Sequence, residues 1–378
     1  MFHLIFAAPC LLVIARWLVP LGLPLWGKGA LAMLLLLASQ FHFWNRLSSG
    51  SVFAPEFPRG VVLLLNWAFG AILLLAVLQI LVDLGALTAA LLHRSMVTIP
   101  DGVRFGAAGL AAVLAAIGVA NAVRVPPVRD VAVAIPGLPP AFEGYRLLQL
   151  TDLHLSRLFP APWARAVVER ANAAGADLIV VTGDFIDGSV AMRRDDVAPL
   201  RDLRAPDGVW AIPGNHEYFF DYPAWMRHLA GLGLKMLPNA HTVLARGEGR
   251  LVLAGVTDAS APASGEAGPD LAAALAGAPP GAPVVLLDHQ PRGAKRAAAR
   301  GVALQLSGHT HGGMILGLDR LVARGNNGFV SGRYDVGGMI LYVGNGTGIW
   351  PGFALRLGRP AEMTRFTLHA APRADEPG

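Results

Sequence analysis

The sequence predicts two unlike regions, an apolar N-terminal bundle of membrane helices followed by an α/β domain. Hydrophobic residues make up 54% of the 378 residues and charged residues only 15%, which is too apolar for an ordinary soluble enzyme. The apolar excess lies almost wholly before residue 125. Beyond that point, short runs rich in Val, Ile and Leu alternate with helical patterns, and this alternation is typical of an α/β fold.

Four apolar stretches lie in the N-terminal region, at residues 2–26, 30–44, 61–82 (with an apolar continuation to residue 92) and 105–123. A helix needs about 20 predominantly apolar residues to cross the hydrocarbon core of a bilayer. The last two stretches meet that length easily, whereas the first two are marginal, and a secretory signal is the alternative for the first. Because Arg16 and Asp83 are the few charges inside them, we predict an anchor of about four transmembrane helices rather than a transporter or channel.

Basic residues between the spans favour a cytoplasmic C-terminal domain. Four spans place both chain ends on one side of the membrane. That side holds Arg46, Arg59, Arg124 and Arg129, and the other holds Lys28, Arg94 and Arg104. The formal net charge of +5 would suit an anionic membrane surface or a phosphorylated substrate.

The pattern of prolines and apolar runs predicts four segments. Residues 1–124 form the anchor and residues 125–144 a proline-rich linker with an edge strand, since proline cannot donate to a central ladder. The α/β domain covers 145–370, and 371–378 is a tail. The single cysteine, Cys10, excludes both an intramolecular disulfide and a cysteine-based zinc site.

Five short polar clusters follow apolar runs in the second region. They read Thr-Asp-Leu-His (151–154), Thr-Gly-Asp (182–184), Pro-Gly-Asn-His-Glu (213–217), Leu-Asp-His-Gln (287–290) and Ser-Gly-His-Thr-His-Gly-Gly (307–313). Polar side chains at the carboxyl ends of buried strands are expected to meet at one edge of a sheet. The clusters therefore predict a metal site there.

The chemistry of the clusters suits hard to borderline divalent ions such as Mn²⁺, Fe²⁺, Zn²⁺ or Mg²⁺, because the donors are Asp, Asn and His. The candidates exceed what one ion needs, and a carboxylate such as Asp184 can bridge two ions. Two neighbouring ions are the usual arrangement for displacement at phosphorus, where they polarise phosphoryl oxygens and lower the pKa of a shared water. The candidate ligands are Asp152, His154, Asp184, Asn215, His289, His309 and His311.

The order of the five clusters resembles that of the calcineurin-like metallophosphoesterase superfamily over roughly residues 145–370, and the anchor is similar to that of its membrane-tethered branch. The resemblance implies a two-sheet sandwich flanked by helices. It implies that His216 stabilises transition-state charge or protonates the leaving oxygen. It also implies a first ion held by Asp152, His154, Asp184 and His311, and a second held by Asp184, Asn215, His289 and His309.

The expected protein is therefore a multi-pass cell-membrane hydrolase, a phosphodiesterase or phosphatase with two divalent metal ions. We expect it to cleave phosphodiester or pyrophosphate bonds, with a lipid-linked substrate such as UDP-diacylglucosamine or a phospholipid as one hypothesis. One alternative is a non-catalytic membrane receptor or regulator that binds a phosphorylated ligand through the same domain. A transporter with a regulatory domain is another. Neither nucleic acid nor a protein partner is expected.

Several other residues are interpreted as structural. Asp187 is predicted to be a turn residue, and Asp288 to face the opposite side of its strand from His289. Glu217 stands where many members of the superfamily have Asp, and it is not a ligand in their pattern. The apolar loops Leu158-Phe-Pro and Trp350-Pro-Gly-Phe are predicted either to pack against the core or to dip into the bilayer.

Overall fold

The computed structural model describes residues 2–371, with side chains from residue 7 onwards. The chain forms two compact units. One unit contains Met1–Ala122 together with the short segment Pro351–Leu357, and the other contains Val123–Trp350 and Gly358–Gly378. The chain therefore leaves the second unit once and returns to it.

The first unit is helical. Its helices are α1 (Phe2–Val13), continued by a π-helical turn at Ile14–Leu18, α2 (Leu25–Ser39), α3 (Phe41–Ser49), α4 (Arg59–His93) and α5 (Asp101–Val123). Within residues 2–371, α4 and α5 are long and apolar enough to cross a membrane. The first two predicted spans form only shorter apolar helices, because the chain bends around Pro20 and Pro24 and because α2 ends at Ser39, before α3 begins at Phe41. The structure thus supports two of the four predicted spans by length and composition.

Large apolar side chains on α4 face outward. Leu81, Leu84, Leu87 and Leu91 are each more than half exposed. Contiguous exposed apolar surface of this kind is characteristic of contact with lipid or another apolar partner. Inside the same unit, the Nε atom of Arg16 lies 2.9 Å from Asp83 Oδ2, so these two charges pair with each other.

The second unit contains two six-stranded sheets. The first sheet has the order β1-β12-β2-β3-β4-β5 and the second has the order β10-β11-β9-β8-β7-β6. The strands of the first are β1 (Val128–Pro136), β2 (Tyr145–Leu150), β3 (Leu178–Thr182), β4 (Val209–Ile212), β5 (Lys235–Met236) and β12 (Met363–Ala371). Those of the second are β6 (Ala240–Arg246), β7 (Gly249–Gly255), β8 (Val284–Leu287), β9 (Leu304–Ser307), β10 (Gly332–Val336) and β11 (Met339–Val343).

Helices complete the second unit. They are α6 (Ala161–Ala173), α7 (Val190–Val197), α8 (Asn215–Phe219), α9 (Tyr222–Gly231), α10 (Leu271–Leu275), α11 (Ala294–Ala298) and α12 (Asp319–Gly325). One continuous apolar core joins the sheets, with Leu147 and Val180 from the first and Val285 and Leu306 from the second all buried. The predicted α/β fold with two sheets and helices is confirmed.

Parallel pairing decides where the strands end. Strands β2, β3 and β4 are parallel neighbours, and so are β7, β8 and β9. The carboxyl ends of each set lie at one edge of their sheet, because parallel strands run in the same direction. Each polar cluster of the sequence begins within a few residues of one of these ends.

The loop Leu158-Phe-Pro does not reach outward. Leu158 and Phe159 are fully buried, and the Phe159 ring lies 4.5 Å from that of Trp163 on α6, measured between centroids. The hypothesis that this loop dips into a bilayer is therefore wrong, since its apolar side chains are used in packing.

Candidate metal centre

The five polar clusters meet in three dimensions. Asp152 follows β2, Asp184 follows β3, Asn215 follows β4, and His289 and His309 follow β8 and β9. All of them except His309 are buried, as are His154 and His311. The structure thus brings together all seven candidate ligands, together with His216, in a site lined by acidic, amide and imidazole groups.

The Asp184 carboxylate is central to this site. Its Oδ2 atom lies 3.3 Å from His289 Nε2, 3.7 Å from His154 Nε2 and 3.9 Å from His216 Nε2. The three imidazoles come from three different loops and converge on one oxygen. Asp184 therefore belongs to two groups of side chains that could hold a metal ion, one with His154 and His216 and one with His289 and His309.

One metal-sized group is formed by Asp152, His154 and His311, whose ligand atoms all lie within 4.8 Å of one another. The closest approach of His311 Nε2 to Asp152 Oδ1 is 3.8 Å. In the part of the chain that the structure describes, no group hydrogen-bonds the buried Nε2 atom of His154. A buried imidazole nitrogen with no hydrogen-bond partner is unfavourable unless it binds a cation, so this atom fits a metal ligand.

A second group is formed by Asp184, His289 and His309. The Asn215 Oδ1 atom lies 3.1 Å from His289 Nε2 and 2.9 Å from His309 Nδ1, so the amide joins this group. His289 Nδ1 lies 2.7 Å from the carbonyl oxygen of Thr182 and donates to it. That hydrogen bond fixes the tautomer and leaves the Nε2 lone pair directed into the site, as is usual for metal-binding histidines.

The backbone at the site is strained. A left-handed conformation costs a non-glycine residue roughly 1–2 kcal/mol, and such strain is concentrated at functional sites. The positive φ values at the site belong to Asp152 (53°), His154 (47°), Asp184 (55°), His309 (70°) and His311 (50°).

Two glycines allow the loops to approach one another. A Cβ atom on Gly308 would lie 2.0 Å from Thr151 Oγ1 and 2.3 Å from Asp152 Oδ2. A Cβ atom on Gly214 would lie 2.2 Å from Asp184 Oδ1. Any side chain at either position would therefore displace a candidate ligand.

Asp187 has a role that the sequence did not predict. Its carboxylate, fully buried, lies 3.0 Å from His154 Nδ1 and 2.5 Å from His216 Nδ1. With both Nδ1 atoms donating to Asp187, both Nε2 atoms are directed towards Asp184. In the sequence, the feature that could have indicated this role is the short spacing between Asp184 and Asp187. The residues Phe-Ile-Asp-Gly are, however, also the pattern of an ordinary turn.

Buried side chains in turn hold the Asp187 loop. Arg193 Nε donates to the carbonyl oxygen of Asp187 at 2.8 Å, and Trp225 Nε1 donates to that of Gly188 at 3.0 Å. Arg193 and Trp225 are fully buried. The position of the Asp187 carboxylate is therefore determined by packing as well as by its two histidines.

Glu217 is a structural carboxylate. It accepts hydrogen bonds from the backbone N–H groups of Asp184 at 3.0 Å, Phe185 at 2.8 Å and Gly214 at 2.7 Å. One side chain thus ties the loop after β3 to the loop after β4. Glu217 is buried, and the three hydrogen bonds that its carboxylate accepts come from backbone N–H groups.

The site is electrostatically unusual. Burial lowers the pKa of the His216 imidazole, but the Asp184 and Asp187 carboxylates outweigh burial and raise that pKa to about 9. Burial and the neighbouring His289 lower the pKa of His309 to about 3. Three carboxylates, Asp152, Asp184 and Asp187, are fully or almost fully buried. Buried carboxylates are either paired with cationic side chains or bound to metal ions, and a set of three together with several imidazoles fits divalent cations.

Other polar residues near the strand ends have structural partners. Asp258 accepts from Gln290 Nε2 at 3.0 Å and from the backbone of Ser260 at 2.7 Å, which is the arrangement of a loop cap. His241 Nδ1 donates to the carbonyl oxygen of Ala274 at 2.8 Å. Burial, and then the nearby Asp258 carboxylate, raise the pKa of Asp288 to about 7.

The fold and the site define a class of α/β proteins, in which loops from two packed sheets bring together Asp and His side chains that could hold metal ions. A family model described as "Calcineurin-like phosphoesterase" matches residues 145–313. The "Uncharacterized metallophosphoesterase YkuE" of Bacillus subtilis is 31% identical over 238 residues, covering 61% of this chain and 81% of that protein. The chain belongs to the calcineurin-like metallophosphoesterase family.

Two animal proteins are also similar. Each is named "Transmembrane protein with metallophosphoesterase domain". The one from Bos taurus is 37% identical over 273 residues, covering 69% of this chain and 61% of that protein. The one from Danio rerio is 33% identical over 274 residues, covering 69% of this chain and 62% of that protein. The chain thus spans about three fifths of the length of these relatives.

Proposed function

We propose that this protein hydrolyses phosphoric esters at a binuclear metal centre. The observation that carries the proposal is the convergence of three imidazoles on the Asp184 Oδ2 atom, at 3.3 to 3.9 Å. In this proposal Asp184 is shared by both ions, which are Mn²⁺, Fe²⁺, Zn²⁺ or Mg²⁺. The other ligands are Asp152, His154 and His311 for the first ion, and Asn215, His289 and His309 for the second.

The ions and the protein have separate tasks. Two divalent ions supply Lewis acidity, which polarises phosphoryl oxygens and lowers the pKa of water. Asp187 holds the His216 imidazole at Nδ1, and the His216 Nε2 atom lies beside Asp184. From that position His216 stabilises the negative charge that develops on the phosphoryl group, or protonates the leaving oxygen. His216 is therefore the proposed catalytic residue.

The proposed substrate contains a phosphodiester or pyrophosphate bond and is linked to a lipid, such as UDP-diacylglucosamine or a phospholipid. Two features support a membrane-associated substrate. Helices α4 and α5 are long and apolar enough to span a bilayer, and two relatives are named as transmembrane proteins. The proposal needs neither nucleic acid nor a protein partner.

The proposed location is the cell membrane, with four spans in residues 1–124 and a cytoplasmic catalytic domain in 145–370. Residues 125–144 then form the linker and edge strand, and 371–378 the tail. The excess of arginine on the side of the C-terminal domain supports this orientation. Fusing green fluorescent protein and, separately, alkaline phosphatase after Gly378 tests it. Fluorescence without phosphatase activity is expected, and the opposite pair of results would place the domain outside.

The decisive experiment compares the wild-type protein with His216→Ala in detergent, using His241→Ala as a control outside the site. We expect two divalent ions per chain in the wild type, and hydrolysis of bis-p-nitrophenyl phosphate that is lost only in His216→Ala. Product analysis from native lipid extract then identifies the substrate class. Metal and phosphate-ester binding without turnover would instead support the receptor or regulator alternative, against which the complete donor set argues.

A further inference from the structure

The segment Pro351–Leu357, hereafter the strap, is built into the helical unit although it lies far along the chain from the helices. Asn66 on α4 holds it at two points. The Asn66 Nδ2 atom donates to the carbonyl oxygen of Pro351 at 3.0 Å, and Asn66 Oδ1 accepts from the backbone N–H of Ala354 at 2.8 Å. Asn66 is only 3% exposed, so these bonds satisfy non-helical backbone groups inside an apolar bundle.

Small residues on the helices make room for the strap. A Cβ atom on Gly118 of α5 would lie 2.7 Å from Leu355 Cδ1, and one on Gly70 of α4 would lie 3.1 Å from the same atom. The carbonyl oxygen of Gly118 also accepts from the backbone N–H of Arg356 at 3.0 Å. The strap thus packs in a specific position. Its hydrogen-bond partners and the two glycines that leave room for Leu355 define that position.

The residues just before the strap contact the candidate metal site. The turn Gly344-Asn-Gly-Thr-Gly348, hereafter the GNGTG turn, binds the loop after β2. Its Thr347 N–H donates to the Thr151 carbonyl oxygen at 2.7 Å, and its Gly348 N–H donates to that of Asp152 at 2.9 Å. A Cβ atom on Gly348 would lie 2.3 Å from the carbonyl oxygen of Leu153, so only glycine allows this approach.

We propose that Asn66, on a candidate membrane span, is a positioning residue for the metal centre. Asn66 holds the strap, the strap restrains the GNGTG turn, and the turn holds the backbone of Asp152. Only Ile349 and Trp350 separate the turn from the strap, and two residues span no more than about 7 Å. Because this connection is so short, a displacement of the strap also displaces the turn. In this proposal the helical unit helps to position the metal centre, in addition to serving as an anchor.

This inference rests on the proposed metal centre, and its test separates the two. The variants are Asn66→Leu, which removes both strap hydrogen bonds, and Gly118→Ala, which displaces Leu355. The control is Gln79→Leu, a fully buried position on α4 whose amide donates to Asp83 at 2.8 Å within the helices. The readouts are the affinity for Mn²⁺ and the electron paramagnetic resonance spectrum of bound Mn²⁺, measured on the full chain in detergent with melting temperatures alongside.

We expect Mn²⁺ affinity to fall about tenfold in Asn66→Leu and Gly118→Ala, as for other residues that orient metal ligands, with an altered spectrum. Gln79→Leu should lose thermal stability alone. Unchanged affinity and spectrum in both strap variants, or an equal change in Gln79→Leu, would overturn the inference. A wild-type protein that binds no Mn²⁺ or other divalent ion would refute the proposed metal centre instead. Should Asn66→Leu fail to fold, Asn66→Asp keeps the acceptor for Ala354 and should give a smaller loss of affinity.

Discussion

The Asp187 carboxylate lies between two imidazoles, with Oδ1 2.5 Å from His216 Nδ1 and Oδ2 3.0 Å from His154 Nδ1. One side chain therefore sets the tautomer of a candidate metal ligand and orients the imidazole of the candidate catalytic residue. The two histidines face each other edge to face, with their centroids 4.6 Å apart. This pairing places a candidate metal ligand against the proposed catalytic residue.

We expect Asp187→Asn to reduce kcat by about 10–100-fold, because an amide can accept from one Nδ1–H but not from both. Metal affinity should fall less than in a ligand variant, since His154 itself remains. Steady-state kinetics and metal content measure the two effects. Asp195→Asn, an exposed carboxylate on α7, is the control and should behave as the wild type.

We expect Asp184→Ala to lose both ions and essentially all hydrolysis of bis-p-nitrophenyl phosphate, because its Oδ2 atom lies 3.7 Å from His154 Nε2 and 3.3 Å from His289 Nε2, one histidine from each proposed ligand set. Metal content by mass spectrometry is the direct measurement. Asp335→Asn, an exposed change on β10, should retain two ions. If Asp184→Ala keeps one tightly bound ion, the bridging role is wrong and the two ligand groups act independently.

We expect Gly308→Ala to abolish metal binding, because its methyl group would lie 2.3 Å from Asp152 Oδ2 and force this carboxylate to move. The comparison is Gly325→Ala on α12, where a Cβ atom would meet nothing within 4 Å. That change should leave metal binding unaltered and slightly favour the helix. Similar metal content in the two variants would contradict the close approach of these loops.

We expect Glu217→Gln to lower the free energy of unfolding by about 3 kcal/mol, because three buried backbone N–H groups share its carboxylate and an amide cannot accept from all of them. Chemical denaturation of the second unit within the full chain, followed by tryptophan fluorescence, measures the change. Glu248→Gln, an exposed change in the turn between β6 and β7, should have no comparable effect.

Local sequence patterns were sufficient to predict the α/β fold and the five clusters that lie together at the strand ends, whereas the two sheets were implied by the family resemblance. The reason is that parallel strands place their carboxyl ends at one edge, so a polar residue directly after an apolar run has a predictable location. Span number was harder to predict. The stretches at 2–26 and 30–44 have suitable composition, but the chain bends between them and leaves only short helices.

The order of residues along this chain was enough to reveal its fold class, its family resemblance and the donor atoms available for metal binding, because all of these depend on neighbours in sequence. The partners of those donors depend instead on folding. Asp187 meets His216 across 29 positions, Gly348 meets Asp152 across the sheet, and Asn66 meets Pro351 across 285 positions. Such contacts arise from packing between distant segments, and no local pattern in the chain encodes which segments will meet.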